Sequence, residues 1–313
     1  MGFALVFEIG VSIAAAVILF VYALKGFSED IRNVGGPALE RLLSRLTRNP
    51  LAGFGLGALT TALVQSSSAV SGIVVALVQS GTISFRGSLP VFLGANVGTT
   101  STAWLVALNA TILGPFLIVA SALMSFAPER IRLFGHSVLY LGIILLALQL
   151  ISNYVAPLRQ SEEVAAWLVH ASNPWIGIAI GLLATAMLQS SSVVVGLAVV
   201  AVSQGLLTTH DVVPIVLGAN IGTTTTALLA AASMGSLARR AAFANLLFNV
   251  IGALAFIPFL GAFSIMVVGW TGPGVMAVAT AHLVFNLAVA LIGFAMIPLI
   301  VRYYARRPVP AVR

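Results

Sequence analysis

The sequence has no cysteine and very little charge. Only 7% of its 313 residues are Asp, Glu, Lys or Arg, against 60% that are hydrophobic. The missing cysteine excludes disulfides, thiol nucleophiles and cysteine-ligated metals. The scarcity of charge excludes an ordinary soluble domain, in which roughly a quarter of residues are charged. A chain this apolar has hydrocarbon as its solvent. Two long apolar stretches, 51–79 and 175–203, contain no charged residue at all. No metal-ligand cluster and no Ser/His/Asp set within one polar region is apparent, so the chain does not read as an enzyme. The net charge of +7 does not point to nucleic acid, because the basic residues fall between apolar segments, as in cytoplasmic loops.

What is present is a series of apolar spans, at 3–24, 88–109, 111–127, 132–155, 212–232, 240–260 and 275–301. The first has no basic region before it and reads as a retained transmembrane helix. The stretches 51–79 and 175–203 differ, each being interrupted at its centre by Gln65-Ser66-Ser67-Ser68 or Gln189-Ser190-Ser191-Ser192. Each arm has about fourteen residues, roughly 21 Å of helix, short of a hydrocarbon core of about 30 Å. Each stretch is therefore one long helix with a polar middle or a re-entrant hairpin with the cluster at its tip. Charge placement favours hairpins. They put 14 of the 15 Lys and Arg on one side, with only Arg159 opposite, whereas full spans would set Arg86, Arg130 and Arg132 against the other twelve. The expected fold is an all-α polytopic membrane protein of about seven spans plus two hairpins. It is multi-pass in a plasma (bacterial inner) membrane, with the N-terminus outside and the C-terminus cytoplasmic. Residues 28–48, with mixed charge and Leu39, Leu42, Leu43 and Leu46, read as an amphipathic helix on the cytoplasmic interface or as a solvated connector.

Shifting the sequence by 124 residues superposes it on itself without a gap. Asn49-Pro50 meets Asn173-Pro174, Gly57 meets Gly181, and the two Gln-Ser-Ser-Ser clusters coincide. Pro90 meets Pro214, and Gly94-Ala95-Asn96 with Gly98-Thr99-Thr100 meets Gly218-Ala219-Asn220 with Gly222-Thr223-Thr224. Repeat 1 covers about 1–128, repeat 2 about 129–260, and an extra span 275–301 completes a single transport domain, 1–313. Three spans plus a hairpin per repeat is an odd number of crossings, so the repeats are inverted. Inverted repeats with broken helices at the midplane are the plan of secondary transporters.

At each tip one helix ends and another begins. Serine is a preferred N-cap, and a helix start offers free amides and about half a positive charge. Two facing tips make an anion site without Arg or Lys, in which Ser66, Ser67, Ser68, Ser190, Ser191 and Ser192 supply hydroxyls. In the following spans, two glycines and several hydroxyls within 94–102 and 218–226 suggest local unwinding. Carbonyls freed there, with Asn, Gln and Thr oxygens, suit a hard monovalent cation such as sodium. Co-bound cations would offset the charge of the anion, which gives a physical reason for symport. Asn245, Asn249, Asn286 and His282 lie in apolar spans, where packing roles compete with ion contact. Arg239 and Arg240 read as cytoplasmic anchors.

The doubled Gln-Ser-Ser-Ser, each Gln 31 residues before the Asn of Gly-Ala-Asn-x-Gly-Thr-Thr, resembles the type II sodium–phosphate cotransporter family over roughly residues 1–300. The resemblance implies sodium-driven symport of inorganic phosphate into the cell by alternating access, with no cofactor beyond the coupling sodium. It implies a phosphate site at Ser66–Ser68 and Ser190–Ser192, with Thr100 and Thr224 nearby. Sodium sites would fall on or near Gln65, Asn96, Thr99, Gln189, Asn220, Thr223, Thr226 and Asn249, the last matching the family's Phe-Asn element. Repeat 1 has no such element at the matching place. A homodimer is implied. A further departure is that many bacterial members carry a cytoplasmic regulatory domain after the transport part, whereas this sequence reads as the transport part alone. Another oxyanion or a dicarboxylate is the alternative cargo, and a channel the alternative class.

Overall fold

The computed structural model describes residues 3–108, 110–161 and 173–306, and these are helical with short connections. In chain order the helices are α1 (Phe3–Leu46), α2 (Pro50–Val64), α3 (Ser67–Gln79), α4 (Phe85–Ala107), α5 (Gly114–Met124), α6 (Glu129–Arg132) and α7 (Gly135–Val155). They continue with α8 (Pro174–Leu188), α9 (Ser191–Ser203), α10 (Thr209–Ala232), α11 (Ser236–Phe256), α12 (Leu260–Thr271) and α13 (Val275–Ala305). Among the described residues, five segments are long and apolar enough to cross a membrane: one within α1, one from α7 into the turn after it, and those of α10, α11–α12 and α13. The chain is a polytopic helical membrane protein.

The repeated Asn-Pro pairs start the hairpins. Asn49 Oδ1 accepts from the Leu51 and Ala52 amides, and Asn173 Oδ1 accepts from the Trp175 amide. Pro50 and Pro174 fill the first helical position, where no amide partner is lost. The helices of each hairpin are 15 and 13 residues long, about 22 and 20 Å at 1.5 Å per residue, so none spans alone.

Close contacts fix the path of each hairpin. A Cβ built on Gly94 would lie 1.9 Å from Phe54 O, and one on Gly98 2.2 Å from Ala58 O, while Thr47 lies beside Gly87. The neighbours advance together, so α2 runs parallel to α4 in a register 40 residues apart. Since α3 ends at Gln79 and α4 starts at Phe85, α3 must run back along α2, which makes a hairpin rather than a span. The second repeat copies this arrangement. A Cβ built on Gly218 would lie 2.0 Å from Ile178 O, one on Gly222 2.6 Å from Leu182 O, and one on Gly181 2.0 Å from Ile215 O.

The hairpins enter from opposite faces. Gln79, at the base of the first, accepts from the Gly235 amide just beyond the end of α10. The base of the second, at Gln204, joins the start of α10. One helix thus runs from one base to the other. It is the most enclosed of the candidate spans, with 72% of its apolar window buried against 28% for that of α1. The returning arms pack across the halves: Val70, Val74 and Val75 of α3 lie with Ala238, Ala241 and Ala242 of α11, and Val195 and Val199 of α9 with Phe20 of α1. The outer arms present exposed Leu59, Leu63, Leu183 and Met187, as lipid contact requires.

Three details differ from the sequence expectation. The Gly-Ala-Asn-x-Gly-Thr-Thr segments are not unwound, since α4 and α10 are continuous through them. Their glycines exist for close helix approach, which leaves the same compositional trace. Residues 28–48 are not a separate interfacial element, because α1 continues unbroken to Leu46. The 111–127 segment is a 3₁₀ turn followed by the 11-residue α5; Pro115 at its start has no amide to continue the preceding turn.

The glycine contacts yield a stability test. Gly181→Ala should cost about 1–3 kcal/mol by overpacking, whereas Gly55→Ala, with nothing within 4 Å of its added Cβ, should leave the melting temperature in detergent unchanged or slightly raised. Equal melting of the two variants would refute the close-packed parallel pairing.

Candidate functional site

Both hairpins reverse on a glutamine. Gln65 ends α2 at φ 56°, ψ 26°, and Gln189 ends α8 at φ 54°, ψ 30°. They are the only non-glycine residues with positive φ among those described. Glycine is the usual residue at such a helix end, because a Cβ costs about 1–2 kcal/mol there. Strain kept at both tips marks a position where the side chain has its own task. Ser66 and Ser190 follow in extended backbone and cap the returning helices. Ser66 Oγ accepts from the Ala69 amide at 3.1 Å, and Ser190 Oγ from the Val193 amide at 3.4 Å.

The two tips touch. Ser68 Oγ donates to the Gln189 carbonyl at 3.3 Å, and Thr226 Oγ1 donates to Ser68 Oγ at 3.4 Å. In the mirrored position, Thr102 Oγ1 hydrogen-bonds Ser192 Oγ at 3.1 Å and Gln65 Oε1 at 2.7 Å. Gln65 Nε2 donates to Ser101 Oγ at 2.9 Å and to the Ala62 carbonyl. The halves are therefore not equivalent. The Gln65 side chain is buried and held, while Gln189 is exposed.

A cavity of about 270 Å³ opens between the tips, large enough to hold several waters. Of the residues singled out in the sequence, Gln65, Ser66, Ser68, Gln189, Ser190 and Thr226 line it. Ser67, Ser191 and Ser192 are buried beside it without lining it. Thr99, Thr100, Thr223 and Thr224 each donate to a carbonyl of their own helix, at 2.7–3.0 Å. Asn220 does the same to Val216 O at 3.0 Å. Asn96 stands apart in a buried asparagine chain, donating to Asn249 Oδ1 at 3.1 Å, and Asn249 donates on to the Asn245 carbonyl at 2.9 Å. His282 and Asn286 are buried one turn apart on α13. Neither ring nitrogen of His282, nor Asn286 Oδ1, has a partner among the described residues.

Sequence reasoning missed a wall of this cavity. Lys25, Ser28, Glu29 and Arg32 of α1 line it together with Val21 and Leu24. Their spacing puts them on one helical face, a signal present in the sequence but obscured because the basic residues read as a loop beyond the span.

Chemically, the arrangement offers hydroxyls and a left-handed turn from both halves around one small polar space, bordered by fixed charges. A deeper layer of amide and hydroxyl oxygens suits hard cations.

The profile of the Na+/Pi-cotransporter family matches residues 19–153 and 160–303. The chain is 31% identical to the uncharacterized protein YqeW of Bacillus subtilis over 90% of this chain and 92% of that one. It is 30% identical to YjbB of Salmonella typhimurium, named as an inorganic phosphate export protein, over 91% of this chain. The chain spans about half (52%) of the length of YjbB. A stretch of 91 residues is 41% identical to the human sodium-dependent phosphate transport protein 2B, covering 28% of this chain and 13% of that one. No solved structure matches the chain.

The strained tips yield a second test. Gln189→Gly should melt above Gln189→Ala by the equivalent of about 1 kcal/mol, because only glycine is free of the left-handed penalty. An alanine variant melting as high as the glycine one would show that the turn carries no strain.

Proposed function

The chain belongs to the Na+/Pi-cotransporter family, and from that premise we propose that it is a secondary transporter moving inorganic phosphate together with sodium through the cavity between its hairpin tips. The observation that carries this reading is the contact of Ser68 with Gln189 and Thr226. It makes one polar space out of two oppositely inserted hairpins, as alternating access at a central site requires. Serine hydroxyls and the free amides of the returning helices suit the oxygens of phosphate. The carbonyl oxygens of the tip glutamines, with the Thr and Asn oxygens of α4, α10 and α11, suit sodium. Thr99 and Thr223 bond their own helix, and each keeps a lone pair for a cation. Thr100, Thr224, Asn96, Asn220 and Asn249 then belong to a layer behind the cavity, coupled to it through the helices.

In proteoliposomes, an inward sodium gradient should accelerate radiolabelled phosphate uptake. Ser68→Ala and Ser190→Ala should lower it at least about tenfold, the effect of removing a hydrogen bond to a charged group. Arsenate should compete and succinate should not. Uptake indifferent to the sodium gradient would overturn the symport, and equal competition by succinate would move the cargo to dicarboxylates.

Direction has two readings. Sodium coupling drives phosphate inward wherever the sodium gradient is inward. The name of YjbB, an export protein related over most of this chain, favours outward movement. Overproduction in intact cells separates them: cell phosphate rises under the first reading and falls under the second.

A further inference from the structure

One face of α1 forms part of the cavity wall. Val21, Leu24, Lys25, Ser28, Glu29 and Arg32 line it, at intervals of three and four residues that hold a single side of a helix over about 16 Å. The rotation of α1 is fixed from behind. Asp30 accepts a hydrogen bond from the Ser137 hydroxyl of α7. Gly26 lies against the ring of Tyr140, so close that a Cβ there would stand 2.4 Å from a ring carbon. With residues 26 and 30 held against α7, residues 25, 28, 29 and 32 must face the tips.

We infer that α1 supplies a fixed-charge wall to the anion site, with Lys25 and Arg32 attracting the oxyanion and Glu29 opposing them. This rests on the phosphate-transport reading above and deepens it. The two hairpins bring hydroxyls and amides but no charged side chain. The cavity as a whole carries two cations and one carboxylate. A doubly charged oxyanion between the tips thus meets a net positive wall before any sodium arrives, and part of the charge compensation is built into the protein. Lys25 and Arg32 are exposed to the cavity, so water and salt weaken their pull without abolishing it.

Phosphate counterflow by the full chain in proteoliposomes tests this, read as the half-saturating phosphate concentration at constant sodium. Lys25→Gln and Arg32→Gln should each raise it about three- to tenfold, given a partly screened charge acting on a dianion. Glu29→Gln should lower it. Added choline chloride should shrink all three shifts. Arg41→Gln, on the same helix but away from the cavity, should leave it unchanged, and Lys25→Arg should restore the original value even if Lys25→Gln folds poorly. The inference is overturned if the Lys25, Arg32 and Glu29 variants shift it in the same direction, if none shifts it, or if Arg41→Gln matches them. If the unaltered chain gives no phosphate counterflow at all, the transport reading fails and this wall loses its role with it. Normal counterflow with unshifted variants removes the wall alone.

Discussion

A helix that ends inside a low-dielectric slab leaves amides and carbonyls with no water to bond, at a cost of several kcal/mol for each group left bare. This protein ends a helix twice in the middle of its apolar stretches. The reversals at Gln65 and Gln189 are survivable because each tip meets the other: the second tip's Gln189 carbonyl is satisfied by Ser68 of the first, and the serine following each glutamine caps the next helix. Neither hairpin tip would be stable facing lipid. The pairing of the halves, the central position of α10 and the polar space at the junction all follow from that need.

The doubled glycines serve the same end. A hairpin can be carried to the interior only if its outer arm lies tightly along a full-length helix. Gly94, Gly98, Gly218 and Gly222 remove side chains where α2 meets α4 and α8 meets α10. These contacts bring backbone against backbone, so the pairs behave as rigid units while the returning arms α3 and α9 pack across to the opposite half.

Much of this was legible in the sequence, for physical reasons that differ from residue to residue. The repeat was readable from its matched polar motifs, and the hairpins because Gln-Ser-Ser-Ser interrupts an apolar stretch whose arms are too short to span, with the placement of Lys and Arg deciding against a single long helix. Asn49-Pro50 and Asn173-Pro174 were legible as matched positions of the repeat, and the structure shows each Asn capping the first arm of its hairpin. The glycine segments misled, because backbone freedom and close approach demand the same residue and only coordinates tell them apart. The left-handed glutamines were invisible, since composition points to glycine at such turns. Lys25, Glu29 and Arg32 were placed outside the first span, in a connection or an interfacial helix, because hydropathy falls off at residue 25, while the helix itself does not. Which serines face the cavity was also beyond reach. Ser66 and Ser190 point inward through their capping geometry, whereas Ser67 and Ser191, one residue on, turn into the core.

The unequal state of the two glutamines has a consequence of its own. Gln65 is clasped by Ser101 and Thr102, and Gln189 is not clasped by the corresponding Thr225 and Thr226, although those hydroxyls are present at matching positions. A sequence with near-twofold pseudosymmetry has settled into an asymmetric arrangement, so its reflection, with Gln189 fastened and Gln65 released, has the same inventory of donors and acceptors. One pattern of residues written twice thus carries two equivalent sets of tip hydrogen bonds, of which this structure makes only the first.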